Sequence, residues 1–140
     1  MKIHKTRWNC KTDGCANVKT RLKFEVFDGI FPRNVNFSDL DGFVELNGAL
    51  GLMEWKFHGS MPFAQERALN VFLHQNPRNI LFVVYGNPED MLVRAFRSVT
   101  STKCKIFNPS SLQQLKGEIG AWAASVERTQ SSVGLTAGAI

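Results

Sequence analysis

Asn47-Gly48, set between two short and mostly apolar runs within Asp41–Lys56 (DGFVELNGALGLMEWK), constrains this chain more than any other feature. Asn and Gly tolerate the positive φ that both central residues of a type I′ turn require, so the pair predicts a two-residue hairpin. The turn dictates a register in which Leu46 faces Ala49, Glu45 faces Leu50, Phe43 faces Leu52, and Asp41 comes out opposite Glu54. Directly opposed residues hold their Cβ atoms about 4.5–5.5 Å apart, and two like charges there destabilise a sheet unless something positive lies between them. A hard cation on oxygen ligands supplies that charge. Lys56, two residues beyond Glu54, points to the same face. Two carboxylates and an amine therefore converge at the open end of the hairpin.

The rest of the chain bounds what such a cluster can belong to. At 140 residues, with 44% hydrophobic and 21% charged residues, the expectation is one globular domain over residues 1–128 and a small, polar, flexible tail over 129–140. No run approaches the length of a membrane span, and MKIHKTRWNC has no apolar core of a secretory signal, so a cytoplasmic location is expected. The net charge of +5 is concentrated: residues 1–33 hold eight Lys and Arg against three acids, while the remainder is balanced. A basic third beside an acidic site suits a polyanionic partner as well as it suits a solvated, solubilising face. Three cysteines do not make a disulfide framework. His4, Cys10, Cys15 and Cys104 offer a four-ligand structural Zn²⁺ set; reduced, partly buried thiols are the favoured reading.

Periodicity places the other elements. Residues 18–28 fit both a helical face and a strand alternation, and Gly29 with Pro32 ends them. Strands are expected at about 36–46 and 49–57. A helix follows over 61–75, with Ser60 ahead of Pro62 and a stripe of Gln65, Ala68, Leu69, Phe72 and Leu73. ILFVVY at 80–85 reads as a buried, parallel strand. Residues 91–107 favour a hairpin turning at Ser101-Thr102, whose Arg94, Arg97, Lys103 and Lys105 would form a basic ribbon. Ser111 and Gln114 form a capping box for an amphipathic helix through Leu112, Leu115, Ile119 and Trp122 to about Arg128.

An Asp, a hairpin and then Glu-x-Lys (Asp41, Glu54-Trp55-Lys56) resembles the PD-(D/E)XK nuclease superfamily, and FPRNVNFSDLDGFVELNGALGLMEWK is similar to its small phage-encoded members, among them VRR-NUC and Holliday-junction-resolvase-like nucleases. Leu40 stands where the family has proline; Asp39 shares the face of Asp41, and the register favours Asp41. The resemblance implies an α/β, restriction-endonuclease-like core of αβββαβ order, a mixed central sheet flanked by helices. It selects a helix for residues 18–28, with Glu25 facing the metal, and places Gln65 toward the site. It implies Mg²⁺ or Mn²⁺ on Asp41, Glu54 and the main-chain carbonyl near Trp55, with Lys56 activating or orienting water for phosphodiester hydrolysis. The partner would be nucleic acid, DNA before RNA, gripped by Lys19, Arg21, Lys23, Arg33, Arg94, Arg97, Lys103 and Lys105. A phage-encoded chain would work in the host cytoplasm, and a homo-oligomer is expected by analogy. The alternative is a non-catalytic nucleic-acid-binding module on the same fold. A Ser or Cys hydrolase lacks any motif around His4, His58 or His74.

Overall fold

A computed structural model of the chain describes residues 24–35, 37, 40–57 and 59–133. The chain divides into two compact units, 1–37 and 38–140. In the first, the described residues form two short 3-10 helices, Phe24–Phe27 and Pro32–Asn34. Phe37 meets Phe27 and Phe31 edge-on, with ring centroids 5.5 and 5.3 Å apart. The described end of the helix expected over 18–28 is thus a 3-10 turn, closed by Gly29 at φ 84°; residues 18–23 lie outside the described residues.

The second unit is α/β. Its five-stranded mixed sheet runs in the order β1-β2-β3-β4-β5, with strands Gly42–Leu46, Ala49–Lys56, Ile80–Asn87, Leu92–Val99 and Cys104–Phe107. Helix α1, Phe63–Gln75, connects β2 to the parallel β3, and α2, Leu112–Val133, follows β5. All other neighbouring strands are antiparallel.

The hairpin has the predicted register, with Leu46↔Ala49, Glu45↔Leu50 and Phe43↔Leu52. Asn47 and Gly48 both have positive φ, 50° and 82°, as a type I′ turn requires. Strand β1 starts at Gly42 rather than near residue 36, because a side chain replaces the ladder there: the Asp41 carboxylate takes the Trp55 N–H.

Alternation along β2 sends its residues to two different cores. Leu52, Leu81 and Val83 pack under Leu69 and Leu73 of α1. Ala49, Ile80, Phe82, Val84 and Phe96 pack under Leu115, Trp122 and Val126 of α2. The Trp122 ring lies over Gly51, where a Cβ would stand 2.9 Å from its edge. Covering both faces explains why ILFVVY is apolar without alternation.

Some local expectations are corrected. Pro62 is the N-cap of α1 and no side chain caps it, so Ser60 does not; the Pro62 carbonyl accepts the Glu66 N–H at 3.0 Å. Ala68, expected on the buried stripe, is exposed. Ser111 does cap α2, its Oγ accepting the Gln114 N–H at 3.1 Å. Helix α2 continues to Val133, five residues past Arg128, because its polar end has no helix breaker before Gly134; residues 134–140 lie outside the described residues.

Candidate active site at the open end of the hairpin

The ends of β1 and β2 opposite the turn are closed by side chains. Asp41 Oδ2 accepts the Trp55 N–H at 2.7 Å, and the Asp41 N–H points back to Glu54 Oε1 at 3.4 Å. The two carboxylates, 13 residues apart in sequence, thus end one ladder together. Glu54 lies on a central strand paired with Val83 and is only 3% exposed, whereas Asp41 is open to solvent.

Lys56 and Gln65 complete the cluster. Lys56 Nζ stands 3.5 Å from Glu54 Oε2 and donates to Gln65 Oε1 at 3.0 Å. Gln65, from the first turn of α1, thus holds the amine that faces Glu54. Burial raises the Glu54 pKa above its ordinary 4.5, and the Asp41 charge adds to the rise; the Asp41 N–H, Gln65 and Lys56 pull it back down. A buried carboxylate with a second acid beside it is under-neutralised by one ammonium.

That imbalance defines what the site can hold. The donors are hard oxygens, one acid is desolvated and the other reachable from water, which fits a hard divalent cation that keeps several waters. Among the described residues no three His, Cys, Asp or Glu side chains gather; the charged oxygens this cluster could offer a cation are those of the acid pair. Trp55 can contribute only its carbonyl: its N–H is taken by Asp41, and its indole N–H donates to the Gly86 carbonyl at 3.1 Å.

The other predicted site residues fall in the first unit, outside the described residues, or on the strands β4 and β5. Glu25 and Arg33 are exposed and belong to the first unit; Arg33 has φ 57°. His4, Cys10, Cys15, Lys19, Arg21 and Lys23 lie outside the described residues, and Cys104 is a free, exposed thiol. The basic ribbon is not one surface. Arg97 is on the α1 face, while Lys105, paired with Ser98, and Lys103 border a hollow beside Trp122 on the α2 face. Alternation separates what sequence proximity grouped.

Two features lie beyond what the sequence analysis reached. Tyr85 pairs with Ala95 but Gly86 pairs with Val93, so Arg94 is the extra residue of a β-bulge. Its Nη2 donates to the Phe57 carbonyl at 2.6 Å, and its guanidinium lies 5.8 Å from the Phe57 ring centroid. Arg94 therefore braces the residue that follows Lys56. Arg97, the second feature, keeps its Nε buried with no hydrogen-bond partner among the described residues.

Comparison with protein-family models, curated proteins and solved structures yields no match.

Proposed function

We propose that the protein is a metal-dependent nuclease of the PD-(D/E)XK type, with a restriction-endonuclease-like core, that hydrolyses phosphodiester bonds of nucleic acid. The observation that carries this reading is the convergence of Asp41, Glu54, Lys56 and Gln65 at one end of a hairpin, with Glu54 buried and short of positive charge. The ββαβ order of β1, β2, α1 and β3 is shared with the expected αβββαβ order and supports it in part; among the described residues two strands rather than three precede α1, and β4, β5 and α2 follow β3 beyond that order. Asp41 and Glu54 would hold Mg²⁺ or Mn²⁺, with the Trp55 carbonyl as a neutral ligand.

When bound, the cation supplies Lewis acidity toward a phosphate oxygen and lowers the pKa of a water. Lys56, whose amine is fixed by Gln65 at 3.0 Å, orients that water and meets the negative charge that develops on the phosphate. Gln65 holds Lys56 in place. DNA is the expected substrate, reaching the cluster from the side of Asp41, which is open to solvent. Among the described residues no helix is long and apolar enough to cross a membrane.

Cleavage of a panel of single-stranded, duplex, flap and four-way-junction DNA, with Mn²⁺ and with chelator, tests the reading. Metal-dependent cleavage that Asp41→Ala and Glu54→Gln both abolish supports it. Binding without cleavage on every member of the panel replaces it with the non-catalytic module.

A further inference from the structure

The α1 face of the sheet carries a cation that the acid pair does not use. Glu54 pairs with Val83 and Val83 with Arg97, so Arg97 lies in the same cross-strand row, two strands away. Two strand spacings amount to about 10 Å. Arg97 is partly buried, its Nε wholly so, and that nitrogen has no hydrogen-bond partner among the described residues. An orphaned donor carries its desolvation penalty uncompensated, and arginine cannot relieve that cost by losing its proton.

The group is nonetheless reachable. Arg97 borders a cleft of about 720 Å³ whose walls include Ser60, Tyr85, Arg94 and Asn108. Tyr85 is the β3 partner of Lys56, so the cleft begins one strand from the catalytic amine. Every one of these side chains carries an N–H or O–H donor. Glu66, exposed on α1, is the acid in the cleft wall.

We propose that this cleft is an anion subsite in which Arg97, with Arg94 beside it, takes a phosphate of the nucleic-acid strand other than the one being cleaved. A guanidinium fork matches phosphate oxygens in geometry, and a turn of the side chain toward the cleft would let one oxygen satisfy the orphaned Nε. Arg94 already gives Nη2 to the Phe57 carbonyl, so it contributes its remaining donors and its charge. Two sources carry the same chemistry: an internal phosphodiester of a continuing strand, or a terminal phosphomonoester at a strand end. The identity of the strand rests on the nuclease reading; the affinity for phosphate does not.

The test begins with inorganic phosphate added to the full chain in chelator, followed by thermal unfolding and calorimetry. Phosphate should raise the midpoint of the wild type and of Glu54→Gln alike. Arg97→Gln should bind it about tenfold or more weakly, the worth of a charge-assisted hydrogen bond. Arg97→Lys keeps the charge and loses the fork, so it should fall between the two; it is the variant to read if Arg97→Gln does not fold. An unchanged response in both Arg97 variants, or none in the wild type, overturns the subsite, and then Arg97 is a structural cation. Oligonucleotides bound to Glu54→Gln separate the sources. A preference of about tenfold for a 5′- or 3′-phosphorylated end, lost in Arg97→Gln, assigns the terminal monoester. A uniform weakening, with a salt slope shallower by about 0.7 on single strands or 0.9 on duplex, assigns the internal diester. Cleavage without phosphate binding removes the subsite and leaves the nuclease. Phosphate binding without cleavage does the reverse.

Discussion

Glu54→Gln separates a catalytic acid from a structural one, because the two roles predict opposite changes in the metal-free protein. The substitution keeps shape, and the new amide oxygen can still accept the Asp41 N–H that Glu54 Oε1 faces at 3.4 Å. It removes a charge that burial and Asp41 both disfavour. Relief of a like-charge cross-strand pair is worth about 0.2–1 kcal/mol. Against it stands the loss of the 3.5 Å contact with Lys56, a partly exposed ion pair worth about 0–1 kcal/mol, and Lys56 keeps its bond to Gln65. Since burial is the largest cause of the raised pKa, the balance favours Gln, and the chelated variant should melt at the same temperature or about 1–5 °C higher. With Mn²⁺ at about a hundred times its dissociation constant the wild type gains about 2.7 kcal/mol; the variant should gain almost none. Cleavage should fall by about 10³-fold or more, the equivalent of several kcal/mol of lost Lewis-acid stabilisation. Differential scanning calorimetry in chelator and in Mn²⁺ reads both halves. A variant destabilised in chelator, beside a wild type that ignores Mn²⁺, would refute the reasoning and make Glu54 a ladder cap.

Lys56→Ala should lower cleavage at saturating substrate by about 10²–10⁴-fold while keeping the Mn²⁺-induced rise in melting temperature; loss of that rise as well would make Lys56 a structural partner of Glu54. The raised Glu54 pKa predicts that the metal-free fold binds a proton which the unfolded chain has already released, in the window from about 4.5 upward. Stability should therefore fall as pH rises through that window, and Mn²⁺ affinity should rise through it, since the cation needs the ionised acid. Calorimetric titration at stepped pH checks this, with a flat profile expected for Glu54→Gln. Gly51→Ala places a Cβ 2.9 Å from the Trp122 ring and should cost about 1–3 kcal/mol in urea unfolding; an unaffected midpoint would mean that Trp122 yields freely.

The hairpin was legible because its signal is local: a dipeptide that fits positive φ, in a two-residue turn that dictates the register of the runs on either side. Asp41 opposite Glu54 followed from counting. The buried β3 strand was legible for a similar reason, since six consecutive apolar residues leave few options. The breadth of the basic surface was not, because proximity in sequence says nothing about which face a strand residue takes until the pairing is known. Arg97 and Lys105 are neighbours across one hairpin yet occupy different faces. The bulge at Arg94 falls where β3 passes from Tyr85 to Gly86, and the mark it leaves in the sequence is that glycine, whose added Cβ would collide with the Leu92 carbonyl. The end of α2 lies past Arg128 because polarity alone does not stop a helix, and the first breaker beyond it is Gly134.

The helix that supplies Gln65 also holds the turn that sets the register. At its C-terminal end, Asn76 Nδ2 donates to the Gly48 carbonyl at 3.2 Å. Asn79, 3% exposed, accepts the Leu50 N–H at 2.9 Å and donates to the Phe72 carbonyl at 3.2 Å. At the N-terminal end, Gln65 receives Lys56. From Gln65 to Asn76 a helix rises about 17 Å, and from Gly48 to Glu54 a strand covers about 20 Å, so α1 matches the length of strand it must clamp. A slip of one residue in the β1–β2 pairing would turn Glu54 and Lys56 toward α2 and away from Asp41. The asparagines at the far end oppose that slip, because neither the Gly48 carbonyl nor the Leu50 N–H could keep its partner. The chemistry at the open end of the hairpin is thus fixed from the closed end, through one helix that touches both.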